Sequence, residues 1–187
     1  QPASLLENEK FTTLLLAKTL RAQADVAVAE PNYRIQAARV PNDPFFGLQW
    51  HYNLLNLPAA WDISTGEGAA GQVVVAVIDS GALFDHPDLK GRYIAGYDFI
   101  SDPATAADGD GIDPDPSDEG DQDGPGSSSF HGTHVAGTIA AATANGQGIA
   151  GVSWGALIMP VRVLGVGGGT TYDLIQGIRY AAGLDND

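Results

Sequence analysis

Val73-Val74-Val75-Ala76-Val77-Ile78-Asp79-Ser80-Gly81 is a continuous β-branched run that ends in an acid and a turn. With no polar alternation, the run reads as a parallel strand buried on both faces. Ligands and catalysis gather at the carboxyl ends of such strands, which is where Asp79 falls. A carboxylate held there can orient an imidazole and stabilise it when charged. A strand-end Asp can equally do no more than cap the next turn. Downstream, His134 to Ala144 is small and apolar enough for a tightly packed helix. Leu157 to Val163 reads as a second buried strand, with Pro160 an irregularity inside it. Tyr172 to Ala182 follows as a helix, with Leu174, Ile175 and Ile178 on one face. Strand, helix, strand, helix predicts an α/β fold: a parallel β-sheet flanked by helices and joined by right-handed crossovers.

Upstream the pattern changes. Leu5, Leu6, Phe11, Leu14, Leu15 and Leu20 recur at helical spacing, predicting a helix over Leu5 to Ala24 with a buried stripe. Val26 and Val28 alternate with small residues up to Pro31, as in a short strand. Ile35 to Phe45 lacks periodicity, holds Pro41 and Pro44, and reads as an exposed linker of the kind where chains are cut. These features place a boundary near Arg39 and divide the chain into residues 1–39 and 40–187.

The 187 residues, 44% hydrophobic and 17% charged, suit a globular chain with a sizeable core. A formal net charge of −14 repels phosphate backbones and anionic lipid, so neither nucleic acid nor a membrane is an expected partner. A calcium ion, or a basic or neutral peptide, suits this surface better. The absence of cysteine excludes disulfides, thiolate metal sites and a cysteine nucleophile. No run of about 18 apolar residues is present to span a bilayer. Gln1-Pro2-Ala3 has no signal-peptide character, so the leader of an exported protein would lie outside these residues.

His131-Gly132-Thr133-His134-Val135-Ala136-Gly137 is the most specific motif. Its glycines suggest close backbone approach, and His131 falls where a loop meets a helix. A histidine there presents its ring to a cleft while the helix holds it. The pair His131 and His134, with Asp79, also suits zinc. Together with Val77-Ile78-Asp79-Ser80-Gly81 and His86-Pro87-Asp88-Leu89, the motif resembles the first two active-site blocks of the subtilisin-like serine proteases, in that family's order of Asp before His. The resemblance runs from about Asn42 to the C-terminus. It implies that Asp79 orients the imidazole, that His131 acts as general base and then general acid, and that His134 is structural. His51 and His86 are read as surface or packing residues.

The resemblance has further implications. The segment from Leu164 through Gly167, Gly168, Gly169 and Thr170 is similar to the edge that pairs with a polypeptide substrate's backbone; an isolated glycine run would be only a flexible turn. Glu30-Pro31-Asn32-Tyr33 and the preceding helix are similar to the end of an inhibitory propeptide, and the linker then holds the maturation cut. Ser101 to Asp123 contains nine acidic residues and no Lys or Arg. Asp108-Gly109-Asp110-Gly111-Ile112-Asp113 offers closely spaced oxygens of the type calcium takes, though not in the EF-hand pattern. Such runs are more often solvated loops, but crowded carboxylates repel one another unless a cation offsets them. Because the family commonly binds calcium near here, Asp98, Asp102, Asp108, Asp110 and Asp113 are the expected calcium ligands.

The family's nucleophilic serine and oxyanion-hole asparagine have no counterpart in these residues. Gly151-Val152-Ser153-Trp154-Gly155 imitates the Gly-x-Ser-x-Gly elbow of another hydrolase class, but no histidine follows Ser153 as that class requires. The expectation is therefore a secreted serine endopeptidase represented by an incomplete peptidase domain, inactive alone, whose partner is the C-terminal half carrying the serine. The alternatives are a non-catalytic calcium- or peptide-binding module with the same fold and, more distantly, a zinc hydrolase.

Overall fold

The computed structural model describes residues 3–32, 39–68, 72–122 and 127–186. By its contacts the chain forms two compact units, Gln1–Ala37 and Ala38–Asp187. Residues 35–38 of the expected linker lie outside the described residues; of the rest, Pro41 and Asp43 are buried rather than exposed, because Asp43 binds backbone amides of the loop after residue 140.

The first unit contains helix α1, Ala3–Arg21. Residues 22–30 turn back on its end, where Arg21 Nε donates to the Ala29 carbonyl at 2.6 Å. Of the expected buried stripe, the side chains of Leu5 and Leu6 lie outside the described residues; Phe11, Leu14, Leu15 and Leu20 are exposed, and Ala17 is the one buried residue among positions 11–32. A single helix with a short return segment supplies no second layer for that stripe to pack on. The expected strand at Val26 to Pro31 does not form either. An extended segment needs a partner strand for its backbone groups, and Arg21 takes the Ala29 carbonyl instead.

The second unit is an α/β sandwich. After a 3₁₀ turn at Phe46–Leu48 come two short helices, α2 (Trp50–Leu54) and α3 (Leu57–Trp61). Strand β1 (Val74–Asp79), the short β2 (Tyr97–Asp98), helix α4 (Pro103–Ala106), helix α5 (His131–Ala140), strand β3 (Leu157–Arg162) and helix α6 (Thr171–Ala181) follow. The three strands are ordered β1-β3-β2, with both pairings parallel. Register runs from Val74 opposite Leu157 to Asp79 opposite Arg162.

Side chains alternate across the sheet. On one face Val77 and Ile158 pack with Leu89, Ala136 and Ala140, burying α5. On the other, Val161, Val163 and Ile78 pack with Phe99 and Tyr180, burying α6. Pro160 is tolerated in the central strand for a visible reason. From Tyr93 to Tyr97 the neighbouring chain has one residue more than β3 has from Ile158 to Val161, so the ladder is interrupted opposite the proline.

Two expectations about burial are corrected. β1 carries a helix on each face but is less buried than expected, because it is an edge strand: Val77 alone is buried and Val74 remains 45% exposed. In α6 the buried residues are Asp173, Gln176 and Gly177, whereas Leu174, Ile175 and Ile178 are exposed. The small Gly177 side lets the helix approach Val161 and Val163, which turns the aliphatic stripe outward.

Buried polar ties hold both the α2–α3 region and the segment after β1 to the loop after α5. Asp43 accepts from the Ala144 and Asn145 amides at 2.8 and 3.2 Å. Asp88 accepts from Asn145 Nδ2 and the Ile149 amide at 3.0 and 2.9 Å. The Tyr52 hydroxyl, fully buried beside Trp61, donates toward the Ala150 carbonyl at 2.8 Å, and burial pushes its pKa up to about 12. Gln49 Nε2 reaches the same carbonyl. Because that second donor remains, Tyr52→Phe is expected to lower stability by about 1 kcal/mol, the net worth of one hydrogen bond, rather than by the larger cost of an orphaned carbonyl. Chemical denaturation of the two chains measures this; a loss above about 3 kcal/mol would contradict it.

Candidate active site

The β1–β3 pairing places Asp79 at the carboxyl end of the sheet, on the face covered by α5. The Asp79 carbonyl accepts from the Val163 amide at 2.9 Å, and its carboxylate accepts from the Ser80 amide at 2.8 Å. The backbone of Asp79 is thereby fixed before its side chain is used.

His131 is the first residue of α5. The helix begins three residues earlier than its apolar pattern indicates, because Phe130 takes a left-handed conformation (φ 54°) and its carbonyl accepts from the His134 amide. Gly132 explains why this start can lie so close to the Asp79 turn. A Cβ there would stand 2.3 Å from the Gly81 carbonyl oxygen, and the Gly132 amide donates to Ser80 Oγ at 3.1 Å. The Thr133 hydroxyl accepts from the Leu83 amide at 2.9 Å. Gly137 has no such need, since a Cβ there would meet only Ile149 at 3.6 Å.

Held this way, the His131 ring presents Nδ1 to both oxygens of Asp79, at 2.8 and 2.9 Å. Among the described residues the ring has no other hydrogen bond, and Nε2 is left free for chemistry. Asp79 is largely buried (13% side-chain exposure), whereas His131 is 65% exposed. A mostly desolvated carboxylate fixing the tautomer of an accessible imidazole is what a general base requires. The Asp79 hydrogen bond and charge, with a smaller contribution from Asp121, raise the His131 pKa above its ordinary value.

His134 faces another cavity, of about 470 Å³, lined also by Phe45, His86, Leu89 and Ile149. His86 Nδ1 accepts from the Asp88 amide, and the His51 ring packs edge-on against Trp50 and Tyr52. Among the described residues no three His, Asp or Glu side chains are grouped to hold a metal ion, so the zinc arrangement of Asp79, His131 and His134 does not form.

The five carboxylates expected to bind calcium are not brought into one shell. Asp98 is fully buried and accepts from Arg162 Nη1 at 2.7 Å; Asp108 accepts from the same nitrogen at 3.0 Å. Burial pushes the Asp98 pKa up to about 6, partly offset by the Ile100 amide and Arg162. Asp102 caps α4, accepting from the Ala104 amide and the Thr105 hydroxyl, and these bonds hold its pKa low. Asp113 accepts from the Asp115 amide and neighbours Asp110, whose pKa is raised by the shared hydrogen bond. Calcium takes six to eight oxygens, and here a guanidinium already occupies the most buried ones. Asp110 adjoins Asp108 as well as Asp113, but the five expected residues do not meet as a single ligand set.

Gly167, Gly168, Gly169 and Thr170 lie on the turn between β3 and α6. Gly165 and Gly168 exchange backbone hydrogen bonds at 2.8 and 2.9 Å, and Gly167 and Gly168 take positive φ, 81° and 109°. The Thr170 hydroxyl caps α6 by accepting from the Asp173 amide at 3.1 Å. Sequence reading missed Arg162, Asp118, Asp121 and the partnering of Ser128 and Ser129. The available signal was a lone arginine in an otherwise apolar strand, a residue type almost never buried unpaired.

Because its folded-state pKa is raised, His131 should titrate above about 6.5, and Asp79→Asn should bring the midpoint down. The stability contributed by the pair is fully present below about pH 6.5 and is lost as pH rises through the raised value. Ring-proton NMR against pH checks both; an unchanged midpoint in Asp79→Asn would contradict the assignment.

The sequence profile of the subtilase family matches residues 70–187. An extracellular protease of Xanthomonas campestris is 45% identical over 181 residues, covering 90% of this chain and 30% of that protein. Thermitase of Thermoactinomyces vulgaris is 39% identical over 144 residues, covering 76% of this chain and 43% of that protein. Among solved structures, a protease from Pseudoalteromonas arctica superposes with a TM-score of 0.71 at 49% identity, covering 79% of this chain and 45% of that one. The chain thus spans less than half the length of these relatives. Its fold is subtilisin-like and incomplete, and the chain belongs to the subtilase family.

Proposed function

We propose that the chain is the N-terminal part of a secreted subtilisin-like serine endopeptidase, ending its propeptide and beginning its catalytic domain. The observation that carries this reading is the two-oxygen grip of Asp79 on His131 Nδ1, which leaves Nε2 directed away from the carboxylate. In the proposed reaction a serine from the remainder of the domain attacks the scissile carbonyl. His131 Nε2 takes the serine proton and delivers it to the leaving amine, while Asp79 stabilises the imidazolium. Water then hydrolyses the acyl-enzyme by the reverse relay.

Further observations agree with this. The open β1 edge and the outward aliphatic stripe of α6 are apolar surfaces that the rest of a larger domain would cover. The Gly167 and Gly169 amides have no partner among the described residues, as a substrate-pairing edge requires. The division of the chain into compact units at Ala37–Ala38 supports reading the first unit as a prosegment; the cut is assigned to the linker near Arg39. Export agrees with relatives named as extracellular proteases.

The test is reconstitution. The 187-residue chain alone should hydrolyse no peptide above background. Joined to the following part of its reading frame, it should cleave casein, and His131→Ala should reduce kcat by about 10⁴-fold or more. Proteolysis by the isolated chain that depends on His131, or an active reconstituted enzyme indifferent to His131→Ala, would overturn the proposal.

A further inference from the structure

Arg162 ends β3 directly opposite Asp79 and has no exposed side-chain surface. Its guanidinium makes three contacts: Asp98 at 2.7 Å, Asp108 at 3.0 Å and the Ala106 carbonyl at 2.6 Å. Its stem passes beneath the turn after Asp79, with Cδ 3.1 Å from where a Cβ on Gly81 would stand. A cation is therefore fixed where the acidic segment crosses the end of the sheet.

Beyond that point the segment holds the surroundings of both members of the catalytic pair. On the Asp79 side, the Ala82 amide donates to the Pro116 carbonyl at 3.0 Å and the Asp118 amide donates to the Ala82 carbonyl at 3.1 Å. On the His131 side, Asp118 accepts from the Ser128 hydroxyl at 2.7 Å. Asp121 accepts from the Ser129 amide at 2.7 Å and from its hydroxyl. Ser129 Oγ in turn accepts from the His131 amide at 3.3 Å. The segment is a strap with one end on the Asp79 turn and the other on the residues that start α5.

We propose that Arg162 is a positioning residue for the Asp79–His131 pair, fastening this strap with its guanidinium in the role that a metal ion would otherwise fill. The inference rests on reading Asp79 and His131 as the catalytic pair. The physical reason is electrostatic. Asp98 and Asp108 converge on one nitrogen, and without that charge a buried and a partly buried carboxylate face each other uncompensated. The strap would then lift, loosening both Ala82 and Ser129.

The experiment follows the 187-residue chain by NMR, reading the His131 ring titration and the exchange rate of the Ser129 amide. Arg162→Met strands the buried Asp98, so two gentler variants keep the test decisive if it fails to fold: Arg162→Lys and Asp108→Ala. Asp115→Asn is the control, since among the described residues that carboxylate bonds only to Ser117. Asp108→Ala and Arg162→Lys should lower the His131 midpoint by about 0.3–1 pH unit and speed Ser129 exchange by about tenfold or more. Asp115→Asn should do neither, and any folded Arg162→Met should exceed Arg162→Lys in both. Calcium or a chelator should leave the carboxylate ¹³C resonances of Asp98 and Asp108 in place. An Asp108→Ala chain with unaltered titration and exchange overturns the positioning role; calcium-induced shifts at Asp98 and Asp108 overturn the guanidinium as the fastening. Because neither readout uses proteolysis, failure of the endopeptidase proposal would show separately.

Discussion

The parallel pairing of β1 with β3 is the constraint on which the rest depends. It aligns Asp79 with Arg162 at the end of the ladder, so one register choice places the acid that holds His131 beside the cation that pairs with Asp98 and Asp108. A slip of one residue would turn Asp79 away from α5 and bring Ile78 toward His131. The two helices reinforce the choice from opposite faces, α5 through small side chains against Val77 and Ile158, α6 through Gly177 against Val161 and Val163.

From that register the site is assembled mostly by backbone. Ser80, Gly132 and Thr133 tie the start of α5 to the turn after β1 through short contacts that leave little play. His131 can therefore be highly exposed and still well aimed. The carboxylate sits at the sheltered end of the pair and the imidazole at the accessible end, so the proposed proton carrier is the member of the pair open to solvent.

The sequence showed the parts of this arrangement that depend on local pattern. The hydrophobic run of β1, the His-Gly-Thr-His motif and the alternation of strands with helices all survive in the structure. What was illegible depends on partners distant in the chain. The Leu174, Ile175 and Ile178 stripe has the periodicity of a buried face, yet periodicity does not say whether a neighbour exists to cover it. The helix at 131–140 starts earlier than its apolar pattern because a left-handed Phe130 and a buried Gly132 make the start tertiary. The acidic segment posed the right question, what offsets its charge, and composition pointed to a captured ion. The cation was encoded in β3, in a stretch read only as hydrophobic.

That encoding has a consequence for synthesis. Asp98, Asp108 and the rest of the acidic segment leave the ribosome well before Arg162, and β1 waits about eighty residues for its partner strand. During that interval the emerging chain carries an open apolar strand next to unneutralised carboxylates. Mutual repulsion among those carboxylates disfavours compaction of this stretch until a cation arrives, and the residue that meets Asp98 and Asp108 is also the last of β3, so the proposed strap has its fastening only once the sheet can pair.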